Sequence, residues 1–225
     1  MVDGPLTEIL AAPARVRAAR KPFDIRRADI VRKAASFFAQ HGFDATTRDL
    51  AIWLGTTQPL MYRYFPSKNA LIEEVYRTVF LDTWKPAWDL LLCDRSQDLR
   101  ERLCRFYNEY TDAIMDPEWM RIYLFAGLRG VDITRLYVAL VESRIIRPLV
   151  VELSAAQGVV LEGELPPALL ELAWSLQGGI FYYGVRKFVY ETPVHTEKRE
   201  MIAAAVDVYV RSWPGTADCI RPTNP

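Results

Sequence analysis

Between Gly42 and Lys68 the chain stops and restarts a helix three times, and no other part of its 225 residues is so constrained. A helical period begins near Arg26, with Ile30, Ala34, Phe37, Phe38 and Ala39 on one stripe, and His41-Gly42 ends it by placing glycine just past the last turn. Asp44-Ala45-Thr46-Thr47 is a loop supplying a threonine N-cap. Arg48 to Leu54 is a short helix with Leu50, Ala51 and Leu54 turned inward. Gly55-Thr56-Thr57 makes a tight turn and a second cap, and Pro59 falls in the next first turn, where its missing N–H matters little. That helix runs to Tyr64, Pro66-Ser67 closes it, and Ser67 caps a long helix predicted from Lys68 to about Leu92. Two short helices joined by a glycine-bearing turn, with one helix before and one after, define helix-turn-helix geometry.

The remainder reads as helix throughout. Asp98–Met115 carries Leu99, Leu103, Phe106, Tyr107, Tyr110 and Ile114 at three- and four-residue steps. Asp116-Pro117 starts a helix broken by Gly127 and Gly130. Asp132–Gln157 follows, with Ile133, Leu136, Leu140, Ile145 and Leu149 inward and Pro148 as a kink. After a loop at Gly158–Pro167 come Ala168–Tyr190 and Thr196–Trp213. The fold class is therefore all-α, without repeats or strand-period segments. The expected organisation is a basic arm over 1–24, a head over 25–70, a helical body over 71–214 and a tail over 215–225.

Net charge is zero, but it is divided unevenly. Residues 1–70 hold 11 Lys and Arg against 6 Asp and Glu, and the rest holds 17 against 22. Arg15, Arg17, Arg20 and Lys21 cluster in the arm, so the N-terminal part suits a polyanion. Cys93, Cys104 and Cys219 have no paired spacing and read as reduced packing thiols. The longest uncharged run is Leu172 to Val185, shorter than the roughly 20 residues of a spanning helix. Asp3 and Glu8 argue against a signal peptide, so a cytoplasmic protein is expected.

The head residues suit DNA. Starts near Thr47, Thr57 and Ser67 offer hydroxyls and helix N-termini to phosphates. Gln58 is placed to pair with an adenine edge. Tyr62 and Tyr64 bring phenols, while Arg63 and Lys68 add charge. Tyr64 and Phe65 also fit packing against the first helix.

Ile30–Val75, reading IVRKAASFFAQHGFDATTRDLAIWLGTTQPLMYRYFPSKNALIEEV, resembles the DNA-binding domain of TetR-type transcriptional regulators. The matching positions are Ile30, Ala34, Ala35, Phe38, Gly42, Thr46, Thr47, Leu50, Ala51, Gly55, Thr57, Met61, Tyr62, Tyr64, Phe65, Lys68 and Leu71. Tyr62-Arg63-Tyr64-Phe65-Pro66-Ser67-Lys68 is the most specific run. Leu54, Thr56 and Met61 depart from the usual residues. The resemblance implies phosphate contacts at Thr47, Tyr62 and Lys68, base-facing positions at Thr57, Gln58 and Pro59, and further contacts at Arg48 and Arg63.

The resemblance also implies a homodimer formed through the last two helices and an effector site in the body. Ala168–Tyr190 carries only Glu171, Arg186 and Lys187 as charges, so most of its circumference needs cover. Met201, Ile202, Ala205, Val206, Tyr209 and Trp213 give the last helix a wide apolar stripe. Gly178, Gly179 and Gly184 suit close backbone approach or room for a ligand. Two reading heads about 34–36 Å apart meet successive major grooves, so the implied operator is a pseudo-palindrome. Candidate effector-pocket residues are Phe106, Tyr110, Trp119, Tyr123, Trp174, Gln177, Phe181 and Tyr182, suited to an apolar or aromatic ligand that releases a repressor.

No catalytic motif stands out, and His41 and His195 lack ligand-spaced partners, so no enzyme, cofactor or metal is expected. Glu73-Glu74, Glu142 and Glu152 read as solvated helix-face charges. The competing reading is a helical small-molecule-binding protein or adaptor with only nonspecific DNA affinity.

Overall fold

The computed structural model describes residues 22–128 and 132–214. The arm's basic cluster, Gly130, Cys219 and the tail lie outside them. Eleven α-helices run through the described residues. The first four are α1 (Phe23–His41), α2 (Thr47–Trp53), α3 (Gln58–Tyr64) and α4 (Lys68–Tyr76), the last of which crosses the expected boundary between head and body at 70/71. The body holds α5 (Pro86–Cys93), α6 (Leu99–Ile114), α7 (Pro117–Leu128), α8 (Asp132–Val141), α9 (Arg147–Ala156), α10 (Pro167–Gly184) and α11 (Lys198–Ser212).

The first helix starts at Phe23, inside the span expected for the arm. Phe23 stacks on Tyr64 with ring centroids 4.6 Å apart, and the Arg27 guanidinium sits 4.9 Å over the Phe65 ring. These contacts fasten the start of α1 to the end of α3.

The single helix expected from Lys68 to Leu92 is two. After Tyr76 the backbone widens into a π turn at Arg77–Leu81, then breaks before Pro86. Proline has no N–H to donate and disfavours a helical residue before it, so α5 must begin anew there. The Thr83 hydroxyl helps end the earlier segment by donating to the Phe80 carbonyl at 2.9 Å.

A second π turn, Glu142–Ile146, joins α8 to α9, whose second residue is Pro148. The wider turn relieves the clash between a helical proline ring and the carbonyl four residues earlier. Leu136, expected inward, is exposed, whereas Ile145 and Leu149 are fully buried. Gly127 lies within α7 rather than ending it. A third π turn, Val185–Val189, extends α10.

The core is continuous from head to body. Helix α7 lies along α1, where the Ser36 hydroxyl donates to Glu118 at 2.6 Å. Gly42 takes φ +67°, and a Cβ there would meet the Phe125 ring at 3.5 Å. Helix α11 lies against α6 and α10. Gly184 faces inward, where a Cβ would come within 3.2 Å of Met115 and Met120. Cys93 is exposed, so it is not a packing thiol, and Cys104 is half-buried.

Two glutamates expected on solvated faces are bound instead. Glu152 is buried and receives Arg95 at 3.0 Å and Arg102 at 2.6 Å. Burial pushes its carboxyl pKa up, but the two guanidinium hydrogen bonds outweigh that and the net shift is downward. Glu74 bridges Arg27 of α1, at 2.7 Å, and Arg77, at 2.9 Å. Hydrogen bonds from Arg77 and then Arg27 hold its pKa down at about 2.

Candidate nucleic-acid interface

Each short helix of the head is started by its own side chain. The Thr46 hydroxyl accepts from the Asp49 N–H at 3.2 Å while the Asp49 carboxylate takes the Thr46 N–H at 3.3 Å, closing a capping box. The hydrogen bond from the Thr46 hydroxyl holds the Asp49 pKa below the usual carboxylate range. The Thr57 hydroxyl accepts from Leu60 at 3.4 Å, and that of Ser67 from Ala70 at 3.0 Å. Because Thr46 is the cap, Thr47 is the first residue of α2 and its hydroxyl is free of capping duty.

The turn between α2 and α3 is set by Gly55 at φ +64°. Its N–H donates to Ile52 and that of Thr56 to Ala51, each at 3.0 Å, the paired bonds of a Schellman ending. A residue with a Cβ is strained in that left-handed conformation. The turn brings the start of α3 beside the start of α2, where the Gln58 amide donates to the Thr47 hydroxyl at 3.0 Å.

Leu50, Ala51, Leu54, Met61 and Phe65 are buried beneath these helices. Above them Arg48, Thr57, Pro59, Tyr62 and Arg63 are exposed, with Thr47 and Gln58 half-exposed beside them. Tyr64 is half-buried on Phe23. Lys68 sits differently from the expectation of a phosphate contact: its ammonium donates to the Phe43 and Ala45 carbonyls, each at 2.5 Å, pinning the loop before α2. Trp53 packs against Phe37 and His41 at the far end of α2 and stays 42% exposed, beside a cavity of about 530 Å³ that the sequence did not suggest.

In the body, six of the eight effector candidates fall into two touching aromatic groups. Phe106 stacks on Tyr110 at 5.5 Å, and Gln177 reaches the Tyr110 hydroxyl at 3.5 Å. Trp119 stacks on Tyr123 at 5.4 Å, with Phe181 edge-on to Tyr123 at 5.3 Å. Tyr137, absent from the expectation, joins the groups: its ring lies 5.4 Å from Trp119 and its hydroxyl 2.7 Å from that of Tyr110. Tyr182 is exposed and touches Tyr190 and Arg186 instead, and Trp174 is half-buried. Among the described residues no three His, Cys, Asp or Glu side chains gather as a metal site, and no helix is long and apolar enough to cross a membrane.

An all-helical chain with a helix-turn-helix head on a helical body has the architecture of a DNA-binding regulator. Residues 30–75 match the family described as "Bacterial regulatory proteins, tetR family". No curated protein matches the chain. Solved structures share its fold. A transcriptional regulator from Pseudomonas aeruginosa PAO1 superposes with TM-score 0.68 at 18% identity, covering 92% of this chain and 99% of that one. A TetR-like transcriptional regulator from Rhodococcus sp. RHA1 gives 0.62 at 17%, covering 85% and 97%. The TetR family regulator PfmR from Thermus thermophilus gives 0.58 at 21%, covering 82% and 98%. Residues 30–75 thus match the tetR-family regulatory domain, and the chain as a whole shares the fold of these solved regulators.

Proposed function

We propose that the chain is a repressor that binds a pseudo-palindromic operator as a homodimer and leaves it when a small aromatic effector enters the body. The exposed face of α2 and α3 carries this reading: Arg48, Thr57, Pro59, Tyr62 and Arg63 are solvent-facing on helices whose other side is wholly buried. Thr57, Gln58 and Pro59 face the bases, and Thr47, Arg48, Tyr62 and Arg63 hold phosphates. Lys68 serves the same surface chiefly by fixing the loop that carries Thr46 and Thr47.

The dimer face lies on α10 and α11. On α10 the exposed stripe is Ser175, Gly178, Gly179 and Tyr182, and a Cβ on either glycine would meet nothing within 4 Å. Exposed glycine inside a helix is unfavourable unless another backbone needs the space. Ser175 and Tyr209 join hydroxyls at 2.6 Å, holding α10 and α11 as one surface on which Val208 is also exposed. We keep the head at 25–70 and the body at 71–214.

The test is selection of binding sites from random duplexes, followed by titrations with Gln58→Ala and Tyr62→Phe. An inverted repeat is expected, with base preference relaxed by the first change and uniform weakening from the second. Enrichment of no sequence, with steep salt dependence, would instead support the adaptor with nonspecific DNA affinity.

A further inference from the structure

The aromatic centre of the body is short of hydrogen bonds in a specific way. Trp119 is 3% exposed and its indole N–H has no partner among the described residues. Gln177 is 5% exposed; its amide N–H reaches Tyr110, but its carbonyl oxygen has no partner. An unpaired buried polar atom is destabilising, and native proteins keep few of them. Both atoms border one cluster, because Tyr137 packs on Trp119 and bonds Tyr110, which in turn takes the Gln177 amide.

One unpaired group is a donor only and the other an acceptor only. A ligand satisfying both must carry an acceptor for Trp119 and a donor for Gln177. Its charge is also restricted. The side chains seen in ring or hydrogen-bond contact with Tyr110 and Tyr137 are all neutral: Phe80, Trp84, Trp88, Phe106, Trp119, Tyr123 and Gln177. A charged ligand would lie there without a counter-ion. Its shape is set by the rings. The cluster reaches the surface at Tyr123 and Phe181, which are half-buried, and Trp119 lies parallel to Tyr123 within 15°.

We propose that this centre binds an uncharged hydroxyaryl carbonyl compound, its phenol donating to the Gln177 carbonyl oxygen and its carbonyl accepting from the Trp119 indole. The inference rests on the effector reading above and gives it a ligand class.

Calorimetric titration of the full chain tests it with 4-hydroxybenzophenone, benzophenone, 4-hydroxybenzoate and dodecanoate. The hydroxy ketone is expected to bind about tenfold more tightly than benzophenone, the size expected when one buried hydrogen bond is lost, and the two anions to bind more weakly still. Gln177→Met should abolish the preference for the hydroxyl without lowering the melting temperature of the free protein. Trp119→Phe should weaken both ketones about equally. Tighter binding of either anion, or a hydroxyl preference that survives Gln177→Met, overturns the ligand class. Operator release is measured in parallel. Ketone binding that leaves operator affinity unchanged upholds the ligand class and sinks the effector reading. Release by dodecanoate alone does the reverse.

Discussion

The head and the body satisfy their polar groups to different degrees. In the head Thr46, Thr57 and Ser67 each cap a helix, Gln58 ties α3 to α2, and Lys68 closes the loop carbonyls. Thr56 holds the one unpartnered buried side-chain atom found between α1 and α3 among the described residues. The body leaves such atoms on Tyr76, Arg102, Tyr107, Asn108, Trp119, Thr134, Gln177 and Arg186, and three π turns interrupt its helices. Satisfied polar networks hold one geometry, while unsatisfied groups and π turns mark places that accept a ligand or a rearrangement.

Four measurements sharpen or break the contrast. Glu152→Ala strands Arg102 in the body interior and should cost about 3–5 kcal/mol in urea unfolding. A loss under about 1 kcal/mol would show the body tolerating even a stranded charge. Thr46→Ala opens the capping box and should cost about 1 kcal/mol, with operator affinity falling as α2 frays. Glu74 gives a pH signature. Its pKa is lowered, so its contribution is complete above the ordinary glutamate value and fades as pH falls toward about 2. Glu74→Gln should flatten the acid limb of stability over that window, and an unchanged limb would remove Glu74 from the link between α1 and α4. The smallest effect belongs to Tyr107→Phe, which deletes an unpartnered buried hydroxyl. Its melting temperature should stay level or rise slightly. A clear drop would mean that the hydroxyl is satisfied and the contrast overstated.

How much is legible in the sequence follows the same division. Caps and turns act over three or four residues, so Ser67, Thr57, Gly55 and the start of α6 at Asp98 are written locally and fall where expected. Lys68 is 25 residues from Phe43, and Glu152 is 50 from Arg102. Nothing in the local pattern distinguishes those charges from solvated ones, and only the closed fold reveals their partners. The break before Pro86 is visible as a proline, but its resolution through a π turn depends on Phe80 seating against Tyr76, Trp119 and Tyr137. Tyr137 carries no local mark, because its contacts come from α6, α7 and the π turn after α4 rather than from its own helix.

Helix α7 meets the head and the aromatic centre on different sides. Glu118 and Phe125, seven residues apart and so nearly in line, touch α1 at Ser36 and its end at Gly42. Trp119 and Tyr123 lie about 100° and 140° further round the helix from Glu118, toward the rings of the body. A wedge driven between Trp119 and Phe181 would turn α7 like an axle. With side chains about 5–6 Å from the helix axis, a roll of about 20° carries Glu118 some 2 Å sideways. That travel would part it from Ser36 and slide Phe125 out from under Gly42, two contacts by which α7 holds α1.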